Sequence, residues 1–100
     1  MSNLSNHQKK FLRSLGHHLN PYVMIGQNGL TDSAKDEIQS TLSKHELIKI
    51  KIRVGDREEK NTAINEIVNI TNSSLVQSVG NTILIYRPFE KDPQIILPKK

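Results

Sequence analysis

Leu47-Ile48-Lys49-Ile50-Lys51-Ile52-Arg53-Val54 alternates without a break. Successive side chains of an extended chain point to opposite faces. Ile48, Ile50, Ile52 and Val54 therefore share one face, and Lys49, Lys51 and Arg53 share the other. The pattern predicts a half-buried strand with an apolar side and a row of three cations, broken by Gly55-Asp56. On both sides of it the period lengthens. Upstream, Ala34, Ile38 and Leu42, with Thr41 beside them, make the inward stripe of a helix over 31–44, and Thr31 is placed to cap it. Downstream, Ile64, Ile67, Val68 and Thr71 do the same for a helix over 57–71. A one-sided strand between two amphipathic helices predicts a sheet with helices laid on it.

Further out, Ser74 to Val79 and Thr82 to Arg87 read as strands joined by Gly80-Asn81, a two-residue hairpin signal. Tyr22 to Ile25 reads as a short strand. Before it, Ser5 and Gln8 form a capping box. Phe11, Leu12, Leu15 and Leu19 give a helical stripe that Asn20-Pro21 closes, because the residue before proline avoids the helical region. Lys10, Arg13 and His17 share a different face of that helix. After Pro88 a polar stretch leads to Ile95-Ile96-Leu97, expected either to add a short edge strand or to dock loosely. The order is α-β-α-β-α-β-β. It predicts an α/β (α+β) two-layer domain with a mixed four-stranded sheet: one domain over 1–100, with its compact core over about 4–88 and a C-terminal tail over 89–100.

Between the first strand and the second helix lies Ile25-Gly26-Gln27-Asn28-Gly29-Leu30-Thr31. Two glycines three apart permit a sharp turn and let a ligand approach with no Cβ in the way. The helix start that follows exposes unpaired N–H groups and a partial positive charge, which suits a phosphate. The lack of Lys-Ser/Thr after the second glycine excludes a nucleotide-binding P-loop. A Gly-x-x-Gly loop that clamps a polymer backbone is one RNA-binding device; an ordinary tight turn into a helix has the same letters.

The 100 residues carry 14 Lys/Arg, 10 Asp/Glu and a net charge of +4. Residues 1–54 hold eight of the cations and four of the acids, and residues 55–100 hold six of each. The whole excess thus lies in the half that contains the loop and the cationic strand, as expected of a surface that meets a polyanion. The solvated outer face of a one-sided sheet would also place Lys49, Lys51 and Arg53 outward. There are no cysteines, which excludes disulfides and thiolate metal sites and agrees with a cytoplasmic location. The start of the chain has no apolar signal segment, and no apolar run is long enough to span a membrane. His7, His17, His18 and His45 include no pair at the i, i+4 spacing of a metal-binding helix, and there is no Gly-x-Ser-x-Gly elbow. Asp56, Glu58 and Glu59 stand at a helix start, where carboxylates favour the dipole. No enzyme, metal or cofactor is expected. The four aromatics, Phe11, Tyr22, Tyr86 and Phe89, do not form the paired strand aromatics of an RRM, so phosphate and 2′-hydroxyl contacts are expected to outweigh base stacking.

Arg13-x-x-x-His17-x-Leu19-x-Pro21, Ile25-Gly26-x-x-Gly29-Leu30-Thr31, Glu37-Ile38, His45-Glu46-Leu47-Ile48-Lys49-Ile50-Lys51, Gln77-x-x-Gly80 and Tyr86-Arg87-Pro88 together resemble the CRM domain (chloroplast RNA splicing and ribosome maturation), most closely its stand-alone bacterial, YhbY-like form. The resemblance runs from Leu4 to Lys100. It implies a fold similar to the C-terminal domain of bacterial translation initiation factor three. It also implies RNA binding without catalysis, and, for a lone copy, association with ribosomal RNA in precursors of the large ribosomal subunit. The RNA contacts it implies are Gly26, Gln27, Asn28 and Gly29, with Lys49, Lys51, Arg13 and Arg87 in support; the charge pattern of the strand and of the first helix adds Arg53 and Lys10. The protein is expected to act as a monomer. The sequence departs from the family where the loop's middle pair, Gln27-Asn28, is neutral, which favours backbone or amide contacts over charge. The competing reading is a protein–protein adaptor that uses an apolar patch or a sheet edge. Salt separates the two, since polyanion binding weakens steeply with salt and an apolar interface does not.

Overall fold

A computed structural model describes residues 4–53 and 55–99; Val54, the end of the alternating stretch, lies outside them. The elements are α1 (Asn6–Gly16), β1 (Val23–Ile25), α2 (Asp32–Lys44), β2 (Leu47–Ile52), α3 (Arg57–Thr71), β3 (Ser74–Val79) and β4 (Thr82–Tyr86). They form one sheet in the order β1-β2-β4-β3. β1 runs parallel to β2, and the other two pairings are antiparallel. The sheet is mixed and four-stranded, as the sequence predicts.

The alternation of β2 decides what each face of the sheet does. Ile48, Ile50 and Ile52 are fully buried with Val23, Ile25, Ile83 and Ile85, beneath Ile38 and Leu42 of α2 and Ile64 and Ile67 of α3. Fully burying one such side chain contributes about 1.5–3 kcal/mol. The other face is covered at one end only. There Leu12 of α1 packs with Leu47, Val76, Leu84 and Tyr86, and Leu4, Leu19, Ile95 and Leu97 close the edge of the cluster. Beyond that cover lie Lys49 and Lys51, both half-buried.

Local chemistry sets the helix ends. Ser5 and Gln8 make both bonds of the capping box. Thr31 accepts from the Ala34 N–H at 3.1 Å, and Asp56 from the Glu59 N–H at 2.9 Å. α3 closes on Asn72 in the left-handed region (φ 54°), which asparagine tolerates. α1 stops at Gly16, short of the Asn20-Pro21 stop expected from sequence, and the Leu19 N–H returns to the Gly16 carbonyl at 3.0 Å. A Cβ on Gly16 would lie 2.6 Å from a Leu84 methyl. The glycine lets α1 settle directly on β4, and Leu19 reaches the core from outside the helix.

The tail neither forms an edge strand nor docks loosely. Glu46, only 3% exposed, accepts hydrogen bonds from the backbone N–H groups of Phe89 (2.7 Å), Gln94 (2.8 Å) and Ile95 (2.6 Å). Three N–H donors satisfy a buried carboxylate that would otherwise be costly to desolvate. The Gln8 side-chain amide adds a bond to the Pro98 carbonyl at 3.0 Å. Burial and the nearby Glu46 charge push the Tyr86 phenol above its ordinary pKa.

Candidate nucleic-acid interface

Gly26 to Gly29 forms a turn closed by the Gly29 N–H on the Gly26 carbonyl at 3.0 Å. Gly29 sits at φ 73°, where a side chain is strained, and Gly26 does not. An added Cβ at either position would meet nothing within 4 Å. The backbone therefore favours a glycine at 29, and among the described residues no contact calls for one at 26. Gly26, Gln27 and Asn28 are exposed. α2 begins immediately after the loop, with Asp32 in its first turn. That carboxylate already faces the positive end of the helix and competes there with a phosphate.

The loop's two flanks differ in charge. On one side the Arg53 N–H donates to the Ile25 carbonyl at 2.8 Å, which holds exposed Arg53 at the loop's root. Lys51 and Lys49 follow down the same column of β2, about 7 Å apart per step. Register sets Met24 beside Lys51, and Tyr22 beside Lys49, whose carbonyl accepts the Tyr22 N–H at 2.9 Å. On the other side, Asp56, Glu58, Glu59 and Glu66 line a cleft of about 530 Å³ that reaches Gly29 and Leu30. One of its carboxylates, Glu66, bonds Lys35 of α2 at 2.9 Å, and this contact raises the Lys35 pKa. The β2 flank is thus cationic, and the cleft on the α3 side is lined by carboxylates.

The basic face of α1 joins the β2 column. Lys10, Arg13 and His17 line a groove of about 380 Å³ with Lys49 and Gln77. The structure thus gathers Gly26, Gln27, Asn28, Gly29, Arg53, Lys51, Lys49, Arg13 and Lys10 along one side of the molecule. Arg87 is not with them. Its guanidinium donates to the Gln39 side chain at 2.8 Å and to the Thr71 carbonyl at 2.9 Å, bracing α2 against the C-terminal end of α3. A cation there also complements the helix dipole. Position 87 directly follows β4, whose last residue, Tyr86, pairs with Leu47 at the opposite end of β2 from Arg53. Its charge serves the fold.

The pattern CRS1/YhbY (CRM) domain matches residues 4–87. The chain belongs to that family. A relative from Haemophilus influenzae, named as an RNA-binding protein, is 49% identical over the full length of both chains. One from Bacillus subtilis, named "Probable RNA-binding protein YqeI", is 39% identical over 95% of this chain and 99% of its own. The solution structure of a hypothetical protein from Staphylococcus aureus superposes with a TM-score of 0.82 at 35% identity, covering 95% of this chain and 99% of that one. This CRM domain therefore shares its fold and nearly its whole length with proteins named for RNA binding.

Sequence reasoning missed one feature of the surface. The Tyr22 and His45 rings are stacked, with centroids 4.7 Å apart and planes at 18°. They are 23 residues apart in sequence, and no local motif links them. Parity along β2 was the available signal, since His45, Leu47 and Lys49 fall on one side of an extended chain.

Proposed function

We propose that this CRM domain binds RNA along the side that carries the Gly-x-x-Gly loop, the Lys49-Lys51-Arg53 column and the basic face of α1. The supporting observation is the convergence of these three features around an uncovered half of the sheet, in a family whose relatives are named for RNA binding. The cations hold phosphates. The loop lets the RNA backbone come close at Gly26, and Gln27 and Asn28 supply neutral amide contacts. The acidic α3 flank keeps the strand on the β2 side. The chain's resemblance to stand-alone bacterial members points to ribosomal RNA in precursors of the large subunit, bound by a monomer in the cytoplasm and without catalysis.

Gel-shift titrations with structured RNA and with duplex DNA of equal length test the binding. RNA is expected to bind more tightly, with affinity falling on a log–log salt plot by about 0.7 per phosphate neutralised on single-stranded segments. Equal affinity for both reduces the surface to a non-specific basic patch. Sedimentation with large-subunit precursors rather than with free protein tests the ribosomal assignment.

A further inference from the structure

We propose that the stacked Tyr22–His45 pair is a nucleobase platform, a subsite that takes an unpaired base of single-stranded RNA. The inference rests on the RNA-binding reading and adds base contact to a surface otherwise described by charge. Of the four Phe and Tyr residues, only Tyr22 is exposed, at 42%. His45 is exposed too, and the near-parallel rings make one aromatic surface from the α1–β1 and α2–β2 connections. An aromatic held rigid and left open to water suits stacking, because every base offers a π-face and each stacked base adds to affinity whatever its sequence.

Its surroundings fit a nucleotide. Tyr22 and His45 line a groove of about 300 Å³ with Leu15, Leu19, Leu47, Lys44 and Glu46, whose carboxylate is already taken up by backbone N–H groups of the tail. Apolar side chains beside a cation match a base with its phosphate. The neighbouring cation along the sheet is Lys49, tied to Tyr22 through the backbone. From Tyr22, β1 leads through Met24, 58% exposed, to Gly26. That is four residues, about 13 Å. One strand of RNA can rest a base on the platform, pass its phosphates over Lys49 and Lys51, and reach the loop. A duplex keeps its base faces stacked internally and cannot use the platform.

The test compares Tyr22→Leu, which keeps apolar bulk without a ring, with Tyr22→Phe, which keeps the ring. The probes are a short single-stranded oligouridine with 2-aminopurine at alternating positions and a duplex RNA of equal length. The chain has no tryptophan, so the 2-aminopurine signal is read without interference. Tyr22→Leu is expected to bind the single strand about tenfold more weakly, about 1.4 kcal/mol, with the quenching of bound 2-aminopurine lost. Tyr22→Phe retains both, and duplex affinity is unchanged in both variants. Wild-type affinity and quenching in Tyr22→Leu, or an equal loss on duplex, overturns the platform and leaves RNA binding standing. Failure of the wild-type protein to bind either RNA overturns the proposed function and the platform with it.

Discussion

Ile50 and Lys51 are chain neighbours on one strand, and they serve opposite faces of the sheet. Ile50 is sealed under α2 and α3 with ten other buried side chains, whereas half-buried Lys51 stands between Met24 and Thr82 on the other face. The apolar face stabilises the fold and presents nothing to a partner. Leu47, at one end of the other face, joins the α1 cluster, but the Lys49-Lys51-Arg53 column beyond it adds little stability, because like charges about 7 Å apart repel. One period-two stretch thus divides its residues between two tasks. Substitutions at Ile48, Ile50 and Ile52 should change melting temperature, and substitutions in the cationic column should change RNA affinity.

The largest effect is expected at Ile50→Ala. A fully buried Ile truncated to Ala costs about 2–5 kcal/mol, and each kcal/mol lowers the melting temperature of a domain this size by about 4–8 °C. Thermal denaturation should therefore show a fall of about 10 °C or more, with RNA affinity at low temperature close to wild type while the domain remains folded. A fall smaller than that of the Lys49/Lys51/Arg53 triple variant would reverse the assignment of the two faces.

That triple variant, with Ala at half-buried Lys49 and Lys51 and exposed Arg53, is expected to melt close to the wild type, since surface substitutions away from the core usually cost within about 0.5 kcal/mol each. Its RNA affinity should fall about a hundredfold at 0.1 M salt, and its salt slope should drop by about two, if each cation neutralises one phosphate at about 0.7 per contact. A folded variant with an unchanged slope would mean that this column is only a solvated face. Arg87→Ala sharpens the contrast. It leaves the Thr71 carbonyl and the Gln39 side chain without their donor, so it should lower the melting temperature and leave the salt slope alone.

The elements were legible in the sequence where local rules act alone. Period and caps placed α2, α3 and the β3–β4 hairpin within a residue, because Thr31, Asp56 and Gly80 do locally what their residue types favour. Long-range partners were not legible. Arg87 and Arg53 both read as exposed cations, and only the fold shows that Arg87 meets groups 48 and 16 residues away. Glu46 gave no sign of holding the tail, because its partners are backbone N–H groups, which any sequence supplies, 43–49 residues further on. α1 ended early because a contact between Gly16 and Leu84 decides where the helix lies. Charge and periodicity placed Lys49, Lys51, Arg53, Lys10 and Arg13 as surface cations, but the Tyr22–His45 stack needed the sheet register to bring it together.

The two glycines of the loop offer the finest division between fold and recognition. Gly29 is held at φ 73°, so most replacements there strain the backbone, whereas Gly26 lies in an ordinary conformation with nothing within 4 Å of an added Cβ. Asn and Asp tolerate the left-handed region better than other residues with side chains, and they differ in charge at nearly equal size. Gly29→Asn should therefore measure bulk, and Gly29→Asp bulk plus negative charge, on comparably folded backbones. If an RNA phosphate passes the loop, Gly29→Asp binds at least tenfold more weakly than Gly29→Asn, about 1.4 kcal/mol, with similar melting temperatures. Gly26→Ala should melt like the wild type. Any loss of RNA affinity in it, expected to be a few-fold, then reports how closely the ligand comes, because no described residue lies within 4 Å of the added Cβ. Equal RNA binding by all four proteins would show that the Gly-x-x-Gly sequence only turns the chain into α2, and would leave the β2 column and α1 as the binding surface.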